Sequence, residues 1–438
     1  MIRLSAFLVF VVCALPAWAE VKIQEVISPG GIKAWLVQEP SIPFAALELR
    51  FRGGTSLDAP EKRGATYLMT GLLEEGAGDL DAREFAKAVE ALAASFDYDA
   101  GDDSVSVSAR FLTENRDAAV ALLRSSIVAP TFDQSALDRV RDQVLSGLRS
   151  DATNPNDIAR KAFDAAIYGD HPYGSPKEGS IDSVAALTRQ DMIDAHRAVF
   201  AKDRLYVGAA GDISAEALGL LLDDLLGALP DTGAAMPPAI EPKFDGSTTV
   251  VSFDTPQSVA LFGQPGISQD DPDFFAARIL NQILGAGGFE SRLMTEVREK
   301  RGLTYGVYSY LVPLDLANSL QGQVASANDR IADAIDVIKD EWRKAASVGV
   351  TAKEVEAAKT YITGAYPLRF DGNGPIARIM VGMQMLGLPI DYIPTRNDKV
   401  NAVTVEDVNR MAAELLDPAK LTFVVVGQPE GLGDQVSQ

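Results

Sequence analysis

The sequence predicts an α+β protein of two homologous lobes, each a largely antiparallel sheet with helices packed on one face. Three observations carry that prediction. The first is an internal repeat: Leu187, Thr188, Asp191, Leu205 and Gly211 recur as Val403, Thr404, Asp407, Leu421 and Gly427, each displaced by 216 residues without a gap. In both copies a Thr-x-x-Asp capping signal opens a helix that leads to an apolar strand, Leu205 to Ala210 and Leu421 to Val426. The second is a mixture of strand and helix patterns without the regular alternation of a βαβ fold. The third is the segment 229–246, whose Pro230, Gly233, Pro237, Pro238 and Pro242 give it a linker composition between lobes at 20–228 and 247–438.

From its start, the chain reads first as an export signal over residues 1–19. Arg3 is followed by an apolar run from Leu4 to Leu15 and a small-residue exit at Ala17-Trp18-Ala19, too short to span a bilayer. Cleavage before Glu20 would remove Cys13, the one cysteine, so the mature chain is expected to lack disulfides and thiolate metal sites. A bacterial periplasm is the expected address, with no membrane insertion of the mature chain. Phe44 to Arg52 alternates Leu47, Leu49 and Phe51 with Glu48, Arg50 and Arg52, predicting a strand buried on one face, and Ser258 to Gly263 is its weaker counterpart. Helices are expected near Arg63 to Glu75 and Asp81 to Ala94. A strand over Ser104 to Phe111 follows, then two long helices, roughly Glu114 to Ser126 and Asp133 to Ser150.

The chain carries 61 acidic and 40 basic side chains. That balance argues against a nucleic-acid partner or an anionic lipid surface.

The stretch from Gly285 to Val312 holds the candidate chemistry. Gly285, Gly287 and Gly288 form a glycine loop that opens a helix from about Phe289 to Arg301; Gly302 ends it, and Leu303 to Leu311 reads as a strand. Arg298 and Tyr305 then flank one tight turn, where a guanidinium and a phenol could both donate to a polarised peptide carbonyl. The loop lacks the Lys-Ser/Thr ending of a phosphate cradle. Taken alone, Arg298 is a solvated cation near a helix C-terminus and Tyr305 a half-buried strand residue.

With the repeat and GGFESRLMTEVREKRGLTYGVYSY in hand, and with Pro130-Thr131-Phe132, Tyr168 to Gly174 and Gly208 to Ile213 in the same order, the chain resembles the pitrilysin/insulinase family of peptidases over essentially all its mature length. The resemblance implies a two-lobed clam of the mitochondrial-processing-peptidase type, working as a dimer around a peptide-binding chamber. Catalytic members carry HxxEH on the first long helix and a distal glutamate, because histidines at i and i+4 share a helix face and the glutamate between them can act as base. The matching helix here, expected to be capped by Asp58 with Glu61 three residues on, places Tyr67, Thr70 and Gly71 at those positions. The distal position falls near Gly147. None of the four offers a zinc ligand or base at neutral pH. The two histidines, His171 in a loop and His196 as a half-exposed helix residue, receive no role.

Metal-free partner subunits of the family keep an arginine and a tyrosine spaced as Arg298 and Tyr305 are. The resemblance therefore implies that this pair reaches the zinc site of a homologous HxxEH-bearing subunit in a heterodimer, binds peptide substrate and stabilises the oxyanion. Zinc is expected in that partner and not in this chain, and Gly285, Gly287 and Gly288 are expected to handle substrate. The competing reading is a non-catalytic peptide-binding or scaffold protein of the same fold; independent peptidase activity stands third.

Overall fold

Both Thr-x-x-Asp signals are capping boxes. The Thr188 hydroxyl accepts from the Asp191 amide (3.4 Å) while the Asp191 carboxylate accepts from the Thr188 amide (2.7 Å). Thr404 and Asp407 repeat the exchange at 3.1 and 2.9 Å. Each box satisfies two amides that a helix start would otherwise leave open.

The computed structural model describes residues 22–432, so the export signal expected over 1–19 lies outside the described residues. The strands are β1 (Gln24–Ile27), β2 (Lys33–Gln38), β3 (Phe44–Arg52), the short hairpin β4 (Gly76–Ala77) and β5 (Leu80–Asp81), β6 (Ser95–Ala100), β7 (Ser104–Leu112), β8 (Leu205–Gly211), β9 (Thr248–Ser252), β10 (Gln257–Pro265), β11 (Val307–Pro313), β12 (Asn318–Ala327) and β13 (Thr422–Gly427). The helices are α1 (Ala65–Thr70), α2 (Ala82–Ala91), α3 (Arg116–Val128), α4 (Gln134–Asp151), α5 (Pro155–Tyr168), α6 (Ile181–Ala186) and α7 (Arg189–Val199). They continue as α8 (Ala215–Leu226), α9 (Phe274–Asn281), α10 (Ile331–Val348), α11 (Ala352–Ala365), α12 (Asn373–Met385), α13 (Tyr392–Ala402) and α14 (Val405–Leu415).

The first sheet runs β1-β2-β8-β3-β7-β6 and the second β11-β12-β10-β13-β9. The repeat is visible in the pairing. β8 lies antiparallel to β3 and parallel to β2, as β13 lies antiparallel to β10 and parallel to β9. The remaining pairs of the two sheets are antiparallel. Each sheet packs one face on helices of its own half in a single large core.

The second face of each sheet is covered by a helix from the other half. α5 sits on β10 and β13, where Phe163 and Ile167 meet Val259, Leu261, Val424 and Val426. α12 sits on β2, β3 and β8, where Ala377, Met380 and Met383 meet Trp35, Val37 and Ala210. β13 is therefore buried at every residue, as its unbroken Phe-Val-Val-Val run permits. The one-sided burial expected of β3 is corrected for the same reason: Ala46 and Glu48, on its other face, are buried. Polar ties join the two halves as well, among them Arg52 with Asp315 (2.9 Å) and Arg160 of α5 with Tyr310 and Gln321 (3.2 Å each).

Candidate functional site

The zinc-motif helix is shorter than its sequence suggests. α1 covers only Ala65–Thr70, and at Gly71 the chain loosens into turns, the Leu72 and Leu73 amides reaching back three residues to Met69 and Thr70. A glycine inside a helix loses more backbone freedom on ordering than any other residue, which fits an early end here. The Asp58–Glu61 capping box is also corrected. Asp58 does cap the helix, but from farther away, accepting from the Gly64 and Thr66 amides (2.9 and 3.0 Å) and the Thr66 hydroxyl (2.6 Å). Pro60–Lys62 instead forms a separate 3-10 turn.

Tyr67 and Thr70 from α1, Gly71 just past its end and Gly147 from α4 line one cleft of about 500 Å³. The structure thus brings the four degenerate positions together. Thr70 spends its hydroxyl on the Thr66 carbonyl (2.8 Å). Burial raises the Tyr67 pKa, and Glu178, Asp99 and Asp151 raise it further, so the phenol stays protonated. This donor set does not fit zinc: a neutral phenol, a bonded hydroxyl and two glycines supply no ligand. Among the described residues no three His, Cys, Asp or Glu side chains are grouped to hold a metal ion. The histidines are engaged elsewhere. His171 Nδ1 accepts from the Tyr173 amide, and His196, whose pKa burial lowers, stacks on Phe200 with Nε2 2.7 Å from the Ile127 carbonyl.

In the second half, the loop and helix expected over 285–301 take a different course. Gln282–Ala286 and Met294–Glu299 are π-helical turns, with the 3-10 turn Gly288–Glu290 between them. Gly285 is a close-approach glycine: a Cβ there would strike the hydroxyl and amide of Ser309 on β11. Gly287 has an ordinary φ of −78°, and Gly288, at φ +56°, is exposed. Gly302 ends the helix as expected. Its φ is +60°, its amide donates to the Arg298 carbonyl (2.8 Å), and the next amide donates to Val297 (3.0 Å).

The strand begins at Val307, four residues later than expected, so Tyr305 stands on the turn rather than on the strand. The Thr304 hydroxyl fixes that turn by donating to the Ala325 carbonyl (2.6 Å) and accepting from the Gly306 amide (3.0 Å). Tyr305 is consequently 85% exposed, not half-buried. Arg298 lies with its guanidinium carbon 4.5 Å over the ring of Phe289, itself 63% exposed. Its neighbours are committed: Glu296 pairs with Lys300 (2.6 Å) and Arg301 (2.8 Å), and Arg292 grips Glu354 at 2.7 and 2.9 Å. Among the described residues Arg298 makes no ion pair. Sequence reasoning does not find Phe289, Arg292 or Glu354. Phe289 lies between Gly285 and Val312, but nothing local marks it as the surface under Arg298.

Two lobes of this kind, each an antiparallel-rich sheet packed by helices of both halves, define a duplicated α+β protein. Comparison with known families matches residues 33–180 to Insulinase (Peptidase family M16) and residues 186–362 to the Peptidase M16 inactive domain. The chain belongs to peptidase family M16. It is 26% identical to the non-peptidase homolog YmxG of Helicobacter pylori, over 88% of this chain and 89% of that one. An uncharacterized zinc protease of Streptomyces coelicolor is 25% identical over 89% and 86% of the two chains. The crystal structure of a peptidase M16 inactive domain from Pseudomonas fluorescens aligns with a TM-score of 0.87 at 29% identity, over 95% of this chain and 100% of that one.

Proposed function

We propose that the chain is the metal-free subunit of an exported, heterodimeric zinc metallopeptidase, contributing substrate binding and transition-state stabilisation to an HxxEH-bearing partner. The observation that carries this reading is the state of Arg298 and Tyr305: an unpaired guanidinium and a nearly fully exposed phenol on a hydrogen-bonded turn. A solvated surface gives no reason to brace such a turn. Donors held where negative charge develops can each lower the barrier by about 3–4 kcal/mol. The similarity to a protein named a non-peptidase homolog supports a subunit that does not cleave by itself.

Peptide would add as an extended strand to a sheet edge. β6 is such an edge, and its Tyr98, Asp99 and Ala100 border the cleft of the first lobe. The second reading, a peptide-binding or scaffold protein without catalysis, keeps this edge but leaves Arg298 and Tyr305 idle.

The test is gentle purification of the tagged chain from its native host, with peptide cleavage assayed with and without a chelator. Chelator-sensitive cleavage that elutes with a second, HxxEH-bearing subunit and is absent from the chain alone is the expected result. Elution as a lone chain with no cleavage in any fraction would overturn the subunit reading in favour of the second one.

A further inference from the structure

We propose that the cavity between α9, α12 and α13 is a binding site for a small multivalent oxyanion, a molecule carrying two or more phosphate or carboxylate groups. The inference is independent of the partner-subunit reading, because none of its residues belongs to the cleft of the first lobe or to the Arg/Tyr turn.

The cavity has a volume of about 560 Å³, within the roughly 300–1,000 Å³ usual for small-molecule sites. Five arginines line it: Arg50 from β3, Arg278 from α9, Arg369 from the 3-10 turn Pro367–Phe370, Arg378 from α12 and Arg396 from α13. Among the described residues no aspartate or glutamate does. In a chain with 61 acidic and 40 basic side chains, an all-cationic cavity runs against composition.

The charges are also poorly compensated. Glu48, 2% exposed on β3, pairs with Arg50 at 3.2 Å and lies within the field of Arg378. Among the described residues Arg278, Arg369 and Arg396 make no ion pair, while Glu48 is paired with Arg50. Arg278 keeps solvent-accessible surface along the cavity but is crowded by protein atoms; this burial lowers its pKa, and Arg369 lowers it further. Arg396, 4% exposed, is shifted the same way by burial and by Arg278. Both stay cationic at any physiological pH, so their mutual repulsion persists until an anion relieves it.

The geometry suits such a guest. One Arg396 nitrogen is held by the Ile362 carbonyl (3.1 Å) and Asn397 Oδ1 (2.8 Å), and its guanidinium lies 4.2 Å over the Tyr366 ring. A guanidinium so fixed loses little freedom on binding, and its planar fork matches phosphate and carboxylate in a bidentate way. The arginines come from four helical segments and a strand of the other sheet, so a bound anion would also bridge the two halves of the chain.

The test is calorimetric titration of the full chain with inorganic triphosphate and, separately, with citrate, using glucose as a neutral control. Saturable binding of at least one anion, weakened by salt and absent with glucose, is expected. Tighter triphosphate assigns the site to phosphate groups, and tighter citrate assigns it to carboxylates. Arg278→Gln and Arg369→Gln should each weaken binding about tenfold or more, without lowering the melting temperature of the free chain. Arg369 is exposed on its turn, so its variant carries the test if Arg278→Gln does not fold. No saturable binding of either anion, or binding unchanged in the folded variants, would overturn the proposal.

Discussion

The cleft of the first lobe and the Arg/Tyr turn of the second differ most in how their glycines are used. A Cβ added at Gly147 would meet nothing within 4 Å, so the glycine there serves no packing purpose. At Gly285 the same added carbon would strike Ser309 on β11. The carboxylates diverge as well. Glu74, beside the cleft, has its pKa raised by burial and by Glu75 and Asp97. Burial also pushes Glu354 up, but its bonds from Arg292 and Thr351 outweigh that and bring it down to about 2. One region keeps an acid that burial and its acidic neighbours disfavour. The other is braced by the Arg292–Glu354 pair and by the close packing of Gly285 on Ser309.

Four sets of substitutions probe that contrast. The largest effect is expected from Tyr305→Phe in the complex with a zinc-bearing partner: turnover should fall about 100- to 1,000-fold. Assembly and melting temperature should stay unchanged, since the side chain is 85% exposed. Equal loss of assembly and turnover in gel filtration and peptide-cleavage assays would make Tyr305 a packing residue.

Next in size, Gly285→Ala should destabilise by about 1–3 kcal/mol, the usual range for overpacking, and Gly147→Ala should stabilise by about 0.5–1 kcal/mol through helix propensity. Urea denaturation of the two variants side by side would show whether the glycines differ as described.

Glu354→Gln comes third, at about 1–2 kcal/mol once its partial exposure is discounted. Because the folded pKa lies below the ordinary 4.5, this contribution is fully present above pH 4.5 and is lost as pH falls towards 2. The melting temperatures of variant and parent should therefore differ at pH 7 and converge on acidification. A constant gap would mean the ion pair is not its source.

The smallest effect has the opposite sign. Glu74 is disfavoured when ionised, so Glu74→Gln should melt slightly above the parent at pH 8, with the difference vanishing below the ordinary carboxylate range. A variant that melts lower at pH 8 would show that the cleft carboxylate is compensated after all.

What the sequence determined by itself is local. Both Thr-x-x-Asp boxes and the Gly302 stop rest on bonds within a few residues, and such bonds leave a pattern in consecutive letters; the strand over Phe44–Arg52 shows as an alternation of apolar and polar letters, although its ladder bonds go to β7 and β8. The unbroken Phe-Val-Val-Val run of β13 even carried the sign of burial on two faces. Only the tertiary structure decided that α5 and α12 cross over to cover the opposite sheets, because that packing joins residues far apart in the chain. It also decided that, among the described residues, Arg298 makes no ion pair while Arg292 reaches Glu354, and that arginines from position 50 to position 396 share one cavity. Which charges find partners depends on which surfaces meet, and the order of residues along the chain does not encode that locally.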